Sequence, residues 1–153
     1  GEIWVKSSVC IDRYYSGAKD SSDFRDGWFK TGDVGYISED GLLIICDRVK
    51  DMIIRGGENI YPVEVENCLI QFPGCQEAAV IAVPDEKYGE VPACVVRMTD
   101  DHKHITGEDL LRFCREHLAG FKVPTRVVFT SEPLPRTATE KLVKAAIKRQ
   151  YFS

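Results

Sequence analysis

The sequence predicts an α+β fold, and three observations predict it. The first third carries short runs of β-branched and aromatic residues with no helical period. After Asp47, apolar residues recur at helical spacing in three places, and the first two of these have their own start and stop signals. Between them lie apolar runs too short to be helices. At 153 residues and 44% hydrophobic, the chain is about one domain in length and can bury a core.

In order along the chain, Ile3 to Val5, Val34 to Ile37 and Leu42 to Cys46 read as strands. "SEDG" (Ser38 to Gly41) is turn-forming, so the last two form a hairpin. "SGAKDSSDFRDG" (Ser16 to Gly27) is a polar connection. Met52 to Ile54 is a short strand and "GGENIYP" a loop, after which Pro62 suits the first turn of a helix. Val65, Cys68, Leu69 and Phe72 then fall on one helical face, and Pro73-Gly74 stops it. Ala78 to Val83 and Val91 to Met98 are strands on either side of "PDEKYGE". Thr106 and Asp109 have capping-box spacing; Leu111, Cys114 and Leu118 form the stripe behind them, and Gly120 ends the helix. Val127 to Phe129 completes a three-stranded sheet. A last helix starts at about Glu140, with Leu142, Val143, Ala146 and Ile147 inward. The change from β-only to mixed structure places a boundary near Asp47 to Lys50, giving segments 1–47 and 48–153. Without a Gly/Ser linker, that boundary reads as a tight hinge.

Composition excludes several classes. A net charge of −4 lacks the basic surface of a general nucleic-acid binder. No apolar run approaches the ~18 residues of a membrane span. "GEIWVKSSVC" has no initiator Met and no signal-peptide order, and "EIWV" is already strand-like; the chain reads as a piece of something longer. The six cysteines contain no C-x-x-C pair and read as buried, reduced thiols of an intracellular protein, in cytoplasm or an organelle matrix. "DHKH" (Asp101 to His104) reads as a solvated turn, so no metal site is expected.

Three stretches carry chemistry. In "GWFKTGD" (Gly27 to Asp33), the Asp33 carboxylate can accept two hydrogen bonds from a vicinal diol such as a ribose; it can equally be a turn aspartate. In "DRVKDMIIRGGENIYPVEVE" (Asp47 to Glu66), Gly56-Gly57 permits a turn and the close approach of a ligand, or is simply a loop. Arg48 and Lys50 bracket the boundary, and Glu64 and Glu66 read as acids that suit a helix dipole. In "PLPRTATEKLVK" (Pro133 to Lys144), Lys141 is a compact point charge suited to phosphate oxygens, on a segment that can carry it into a site and out again.

These stretches, in this order and spacing and with "FKVPTRVVF" between the second and third, resemble the adenylate-forming superfamily over nearly the whole chain. That superfamily contains acyl-CoA synthetases, aryl-CoA ligases, luciferases and the adenylation domains of peptide synthetases. "MIIRGGENIYPVEVE" is most similar to the acyl-CoA synthetases. The resemblance implies a small mobile C-terminal domain (48–153), preceded by a β-rich end (1–47) of a larger N-terminal AMP-binding domain. It implies an acid–thiol ligase: a fatty or related carboxylic acid reacts with ATP, accompanied by Mg2+, to give an acyl-adenylate, and coenzyme A then displaces AMP. On this resemblance Asp33 and Arg48 serve the nucleotide, Lys50 is the hinge, and Lys141 is the catalytic lysine of the first step. Gly56, Gly57 and Glu58 line the CoA channel. The phosphate loop and acyl pocket of the family lie upstream of Gly1, so little activity is expected from these residues alone.

Glu140 departs from the pattern, which has Gly before the lysine. If the backbone there needs positive φ, a non-Gly residue costs about 1–2 kcal/mol; if not, Glu140 is an acid at a helix N-terminus. Two alternatives stand beside the synthetase: a luciferase-like or carrier-loading relative with another acceptor, and a non-catalytic interaction module with a decayed site.

Overall fold

A computed structural model describes residues 1–11 and 23–153. The connection read over Ser16 to Gly27 lies outside the described residues as far as Ser22. The chain divides into two compact units, Gly1–Lys50 and Asp51–Ser153.

The first unit is a four-stranded antiparallel sheet of β1 (Glu2–Val5), β2 (Phe24–Arg25), β3 (Trp28–Ile37) and β4 (Leu43–Arg48), in which β3 pairs with the other three. Phe24 and Arg25 therefore belong to the sheet and not to a loop; Phe24 packs its ring at 5.2 Å from that of its partner Phe29. The β3–β4 hairpin closes where the sequence placed it. Ser38 anchors both ends of the turn, its N–H donating to the Leu42 carbonyl at 2.8 Å and its Oγ accepting from the Leu42 N–H at 3.1 Å. Among the described hydrophobic residues of this unit only Val34 is buried, while Tyr36, Ile37, Leu42, Leu43 and Ile45 are exposed.

In the second unit the sheet has five strands: β5 (Ile53–Arg55), β6 (Glu58–Ile60), β7 (Cys75–Asp85), β8 (Gly89–Met98) and β9 (Arg126–Thr130). The three long strands are those read from the sequence. β8 pairs antiparallel with β7 along its length and parallel with β9, and meets β5 at Arg55–Gly89. Glu58–Ile60, read as loop, is instead the return strand of a hairpin with β5, with Arg55 opposite Glu58. The β7–β8 turn is tighter than "PDEKYGE" suggested. The Asp85 side chain accepts from the N–H groups of Lys87 and Tyr88 at 2.9 and 2.8 Å, and so holds a three-residue connection.

Alternation along β7 and β8 explains their unbroken apolar character, because both sheet faces are covered. Ala78, Val80, Cys94 and Val96 pack with α1 (Pro62–Ile70) and α2 (Gly107–His117), through Val65, Cys68, Leu69, Leu110 and Cys114. Ala79 and Val95 point the other way, to Leu134 and to Ile147 of α3 (Lys144–Tyr151). Each such buried aliphatic side chain contributes about 1.5–3 kcal/mol relative to exposure.

The capping box forms: the Thr106 hydroxyl accepts from the Asp109 N–H, and the Asp109 carboxylate accepts from the Thr106 N–H. The inward pair of α2 is Leu110 and Cys114, one turn apart, with Leu111 and Leu118 at the flank of the cluster. The predicted stripe was therefore rotated by one residue at its start. α3 begins at Lys144 and not at about Glu140, because Arg136 and Leu142 pair as an antiparallel bridge and Glu140 has φ +62°. The cysteines are all free, but only Cys68, Cys94 and Cys114 are buried; Cys10, Cys46 and Cys75 are half-buried.

Candidate functional site

In the first unit, strand register places Asp33 of β3 directly opposite Arg48 of β4. The Arg48 Nε lies 3.2 Å from Asp33 Oδ1, and its Nη2 donates to the Thr31 carbonyl at 3.2 Å. Thr31 ties the same corner together, its hydroxyl donating to the Ile3 carbonyl at 2.9 Å and accepting from the Asp33 N–H at 3.0 Å. A carboxylate and a guanidinium are thus held side by side and partly open to solvent. Lys50 follows in a one-turn 3-10 helix, Val49–Asp51, at the junction of the two units, and is exposed.

In the second unit, Gly56 and Gly57 are the two central residues of the β5–β6 turn, at φ +57° and +94°. Two consecutive left-handed residues are what a two-residue hairpin turn of matching twist demands, so the glycines are required by the backbone. The Gly56 N–H donates to the Tyr88 carbonyl at 2.9 Å, and a Cβ on Gly56 would come 3.1 Å from the Tyr88 ring. A pocket of about 360 Å3 opens there, lined by Arg55, Gly56, Glu58, Tyr88, Gly120 and Phe121. The Arg55 guanidinium lies 4.9 Å from the Tyr88 ring centroid and donates to the Phe121 carbonyl at 2.7 Å. Arg55, Tyr88 and Phe121 were not singled out in the sequence; a β-hairpin and a turn far apart in the chain bring them to the glycines.

Lys141 sits on a second tight turn, closed by the Arg136–Leu142 bridge. The Thr137 N–H donates to the Lys141 carbonyl at 2.8 Å, and the Lys141 N–H donates to the Thr137 hydroxyl at 3.2 Å. Glu140 adopts the left-handed conformation for which a glycine is the strain-free choice, so it is not a helix N-terminal acid. Arg136 donates from Nη1 to the Glu140 carbonyl at 2.7 Å and from Nε and Nη2 to Glu77 Oε1 at 3.2 and 2.9 Å. The other Glu77 oxygen accepts from Arg97 Nη1 at 3.1 Å and from the Leu134 N–H at 3.3 Å. Burial pushes the Glu77 carboxyl up. The hydrogen bonds from Arg136, Arg97 and Leu134 outweigh that and hold it below its ordinary value.

The two nearby lysines differ. Lys144 is 20% exposed and lies 3.0 Å from Glu66, which also accepts from the Val80 N–H at 2.8 Å. Lys141 is exposed and has no ion-pair partner among the described residues. Glu64 pairs with Lys122, with contacts of 2.6 and 2.8 Å. Glu64 and Glu66 therefore do more than suit a helix dipole: each ties α1 to a distant cation. Among the described residues no cluster of three or more His, Cys, Asp or Glu could hold a metal ion. His102, in the segment read as a solvated turn, is held within a 3-10 turn by the Thr99 hydroxyl at 2.8 Å. Among the described residues, no helix is long and apolar enough to cross a membrane.

Known proteins resemble this chain in sequence and in fold. A long-chain-fatty-acid–CoA ligase of Mycobacterium tuberculosis is 42% identical over 152 residues, 99% of this chain and 30% of its own length. A feruloyl-CoA synthase of an Amycolatopsis species is 45% identical, with the same two coverages. Among solved structures, an o-succinylbenzoate CoA synthetase of Bacillus subtilis, in complex with its acyl-adenylate intermediate, superposes with a TM-score of 0.84. It is 39% identical over 97% of this chain and 30% of that one. An amide bond synthetase of Marinactinospora thermotolerans superposes at 0.87, with 35% identity over all of this chain and 31% of that one. The chain thus spans about 30% of the length of the curated relatives it matches. The model of the AMP-binding enzyme C-terminal domain matches residues 64–141, just over half the chain, running from the acid that grips Lys122 to the exposed lysine that closes the second turn; the chain belongs to that family.

Proposed function

We propose that this chain is the C-terminal portion of an ATP-dependent, AMP-forming acyl-CoA synthetase. Residues 1–47 close the larger N-terminal domain, and residues 48–153 form the mobile one. In the first step a carboxylate oxygen of the acid attacks the α-phosphorus of ATP and pyrophosphate leaves. Lys141 offsets the negative charge that builds up on the phosphate, an electrostatic role that needs a cation not already neutralised. Asp33 accepts from the ribose hydroxyls, and Arg48 orients Asp33 and supports the same nucleotide. The mobile domain then turns about Lys50. The thiol of CoA attacks the acyl carbon, AMP departs, and the Gly56-Gly57 turn with Glu58 lines the path of the pantetheine arm.

The observation that carries this reading is the contrast between Lys141 and Lys144: one cation leaves a braced turn exposed and without an ion-pair partner among the described residues, while the other is held by Glu66. On the family resemblance, the Mg2+ that accompanies ATP is held mainly by the N-terminal domain. The phosphate loop and acyl pocket belong to the upstream part of the enzyme, and 153 residues alone are expected to be inactive. The six free cysteines support an intracellular enzyme.

A different acceptor is the second reading, favoured by the likeness to an amide bond synthetase. Pyrophosphate release by the full-length enzyme, measured over a panel of fatty and aryl carboxylic acids, tests the first step and identifies the acid. AMP release that requires CoA supports the synthetase; AMP release with an amine or carrier instead of CoA supports the second reading. No pyrophosphate release with any acid would leave a non-catalytic module.

A further inference from the structure

Glu77 lies on β7, 64 residues before Lys141 and in a different element, yet it organises the turn that presents Lys141. Its side chain is 14% exposed, and its two oxygens accept from four donors. A carboxylate has about four lone-pair sites, so this one is saturated and cannot turn away without leaving donors unpaired. Three of those donors, the Leu134 N–H and two N–H groups of Arg136, belong to the segment that carries Lys141. The Leu134 N–H fixes where the segment leaves the core, and Leu134 itself is buried beside Ile147. Arg136 fixes the tip, because the guanidinium that grips Glu77 also donates to the Glu140 carbonyl.

That carbonyl belongs to the peptide joining Glu140 to Lys141. Its direction, together with the Lys141 N–H bond to Thr137, sets where the lysine side chain departs. Glu140 is at φ +62°, which an L side chain resists, so the turn is not self-sustaining in the way a glycine turn would be. A charge-assisted bond to its carbonyl is what opposes relaxation, and that bond is only as well aimed as Arg136 is anchored. Arg97, on the neighbouring strand β8, holds Glu77 from its other side at 3.1 Å.

We propose that Glu77 is a positioning residue for Lys141, acting through Arg136 on the Glu140 carbonyl. The inference rests on the adenylating role given to Lys141 above. A misplacement of about 1 Å can cost up to a hundredfold in rate, so loosening the clamp should be visible in catalysis before it unfolds the domain.

The test uses the full-length enzyme, with pyrophosphate release as one readout and CoA-dependent consumption of supplied acyl-adenylate as the other. Glu77→Gln should slow pyrophosphate release by roughly ten- to a hundredfold and leave the second readout unchanged. In a Lys141→Ala background the same change should add nothing, because the residue it positions is gone. Arg136→Ala removes the clamp from the other end and should repeat the pattern while Arg97 still holds Glu77; it serves if Glu77 variants fail to fold. Equal losses in both backgrounds, or equal slowing of both readouts, would reduce Glu77 to a general structural role and overturn the proposal. If Lys141→Ala slows the first step but neither Glu77→Gln nor Arg136→Ala does, only this inference falls. If Lys141→Ala itself leaves the first step intact, the role of Lys141 and this inference fall together.

Discussion

Two tight turns of the second unit solve the same backbone problem differently. The Gly56-Gly57 turn puts its positive-φ positions on glycines, is closed by local strand pairing, and rests on the Tyr88 carbonyl and ring. The Thr137–Lys141 turn puts a positive φ on Glu140 and depends on an ion pair between residues 59 apart, Glu77 and Arg136. The first is eased by its composition; the second adds a distant clamp to the local bonds that close it. On the roles proposed above, a turn that lines a channel needs a fixed wall. A turn that delivers a charge needs aim, and an external clamp supplies that without filling the space around the lysine.

The comparison can be broken in steps of decreasing size. Lys141→Ala in the full-length enzyme should slow adenylate formation by about two to three orders of magnitude, the scale of one lost transition-state donor. Stopped-flow pyrophosphate release would measure it, and an unchanged rate would make the second turn structural. Outside both turns, Asp33→Ala should weaken ATP binding by about ten- to a hundredfold, the worth of hydrogen bonds to a charged group, with thermal stability retained. Unchanged affinity would mean that Asp33 only orders its strand corner.

Glu140→Gly sharpens the contrast directly. It removes the strained residue and should stabilise the domain by about 1 kcal/mol, offset in part by the freer unfolded chain. A calorimetric rise of a few degrees is expected; a fall would mean that the glutamate side chain makes contacts worth more than its strain. Acid should act on the second turn through Glu77. The Glu77 carboxyl is held below its ordinary value, so the stability it contributes is complete above the usual glutamate range and is lost as pH falls through the lowered folded value. Glu77→Gln should flatten that loss at the acid end of a denaturation series.

Much of this was legible in the sequence, in proportion to how local the cause is. The Ser38 turn, the Thr106–Asp109 capping box and the α1 face all follow from patterns within a few residues, and each forms. Glu58–Ile60 was missed as a strand because Gly-Gly reads as a loop signal when it is also the signal of a two-residue hairpin turn. The start of α3 was placed four residues early because the apolar spacing of Leu142 and Val143 continues the helical period. What breaks that period is the Arg136–Leu142 pairing and the left-handed Glu140, both set by distant contacts. For the candidate site, residue types were legible and partnerships were not. Nothing near Glu77 announces Arg136, nothing near Glu64 announces Lys122, and Arg55 meets Phe121 across 66 residues. Sequence distance of this kind leaves no period to read.

The central claim is that the two turns serve different half-reactions. Single-turnover measurement of both steps in the full-length enzyme tests it most directly, comparing Lys141→Ala with Gly56→Ala, whose new Cβ would meet the Tyr88 ring at 3.1 Å in a left-handed backbone. The expected result is a crossed pattern. Lys141→Ala slows adenylation and spares CoA-dependent turnover of supplied acyl-adenylate, while Gly56→Ala slows that second step, by about tenfold, and spares the first. Slowing of the same step by both variants, or of both steps by each, would contradict it.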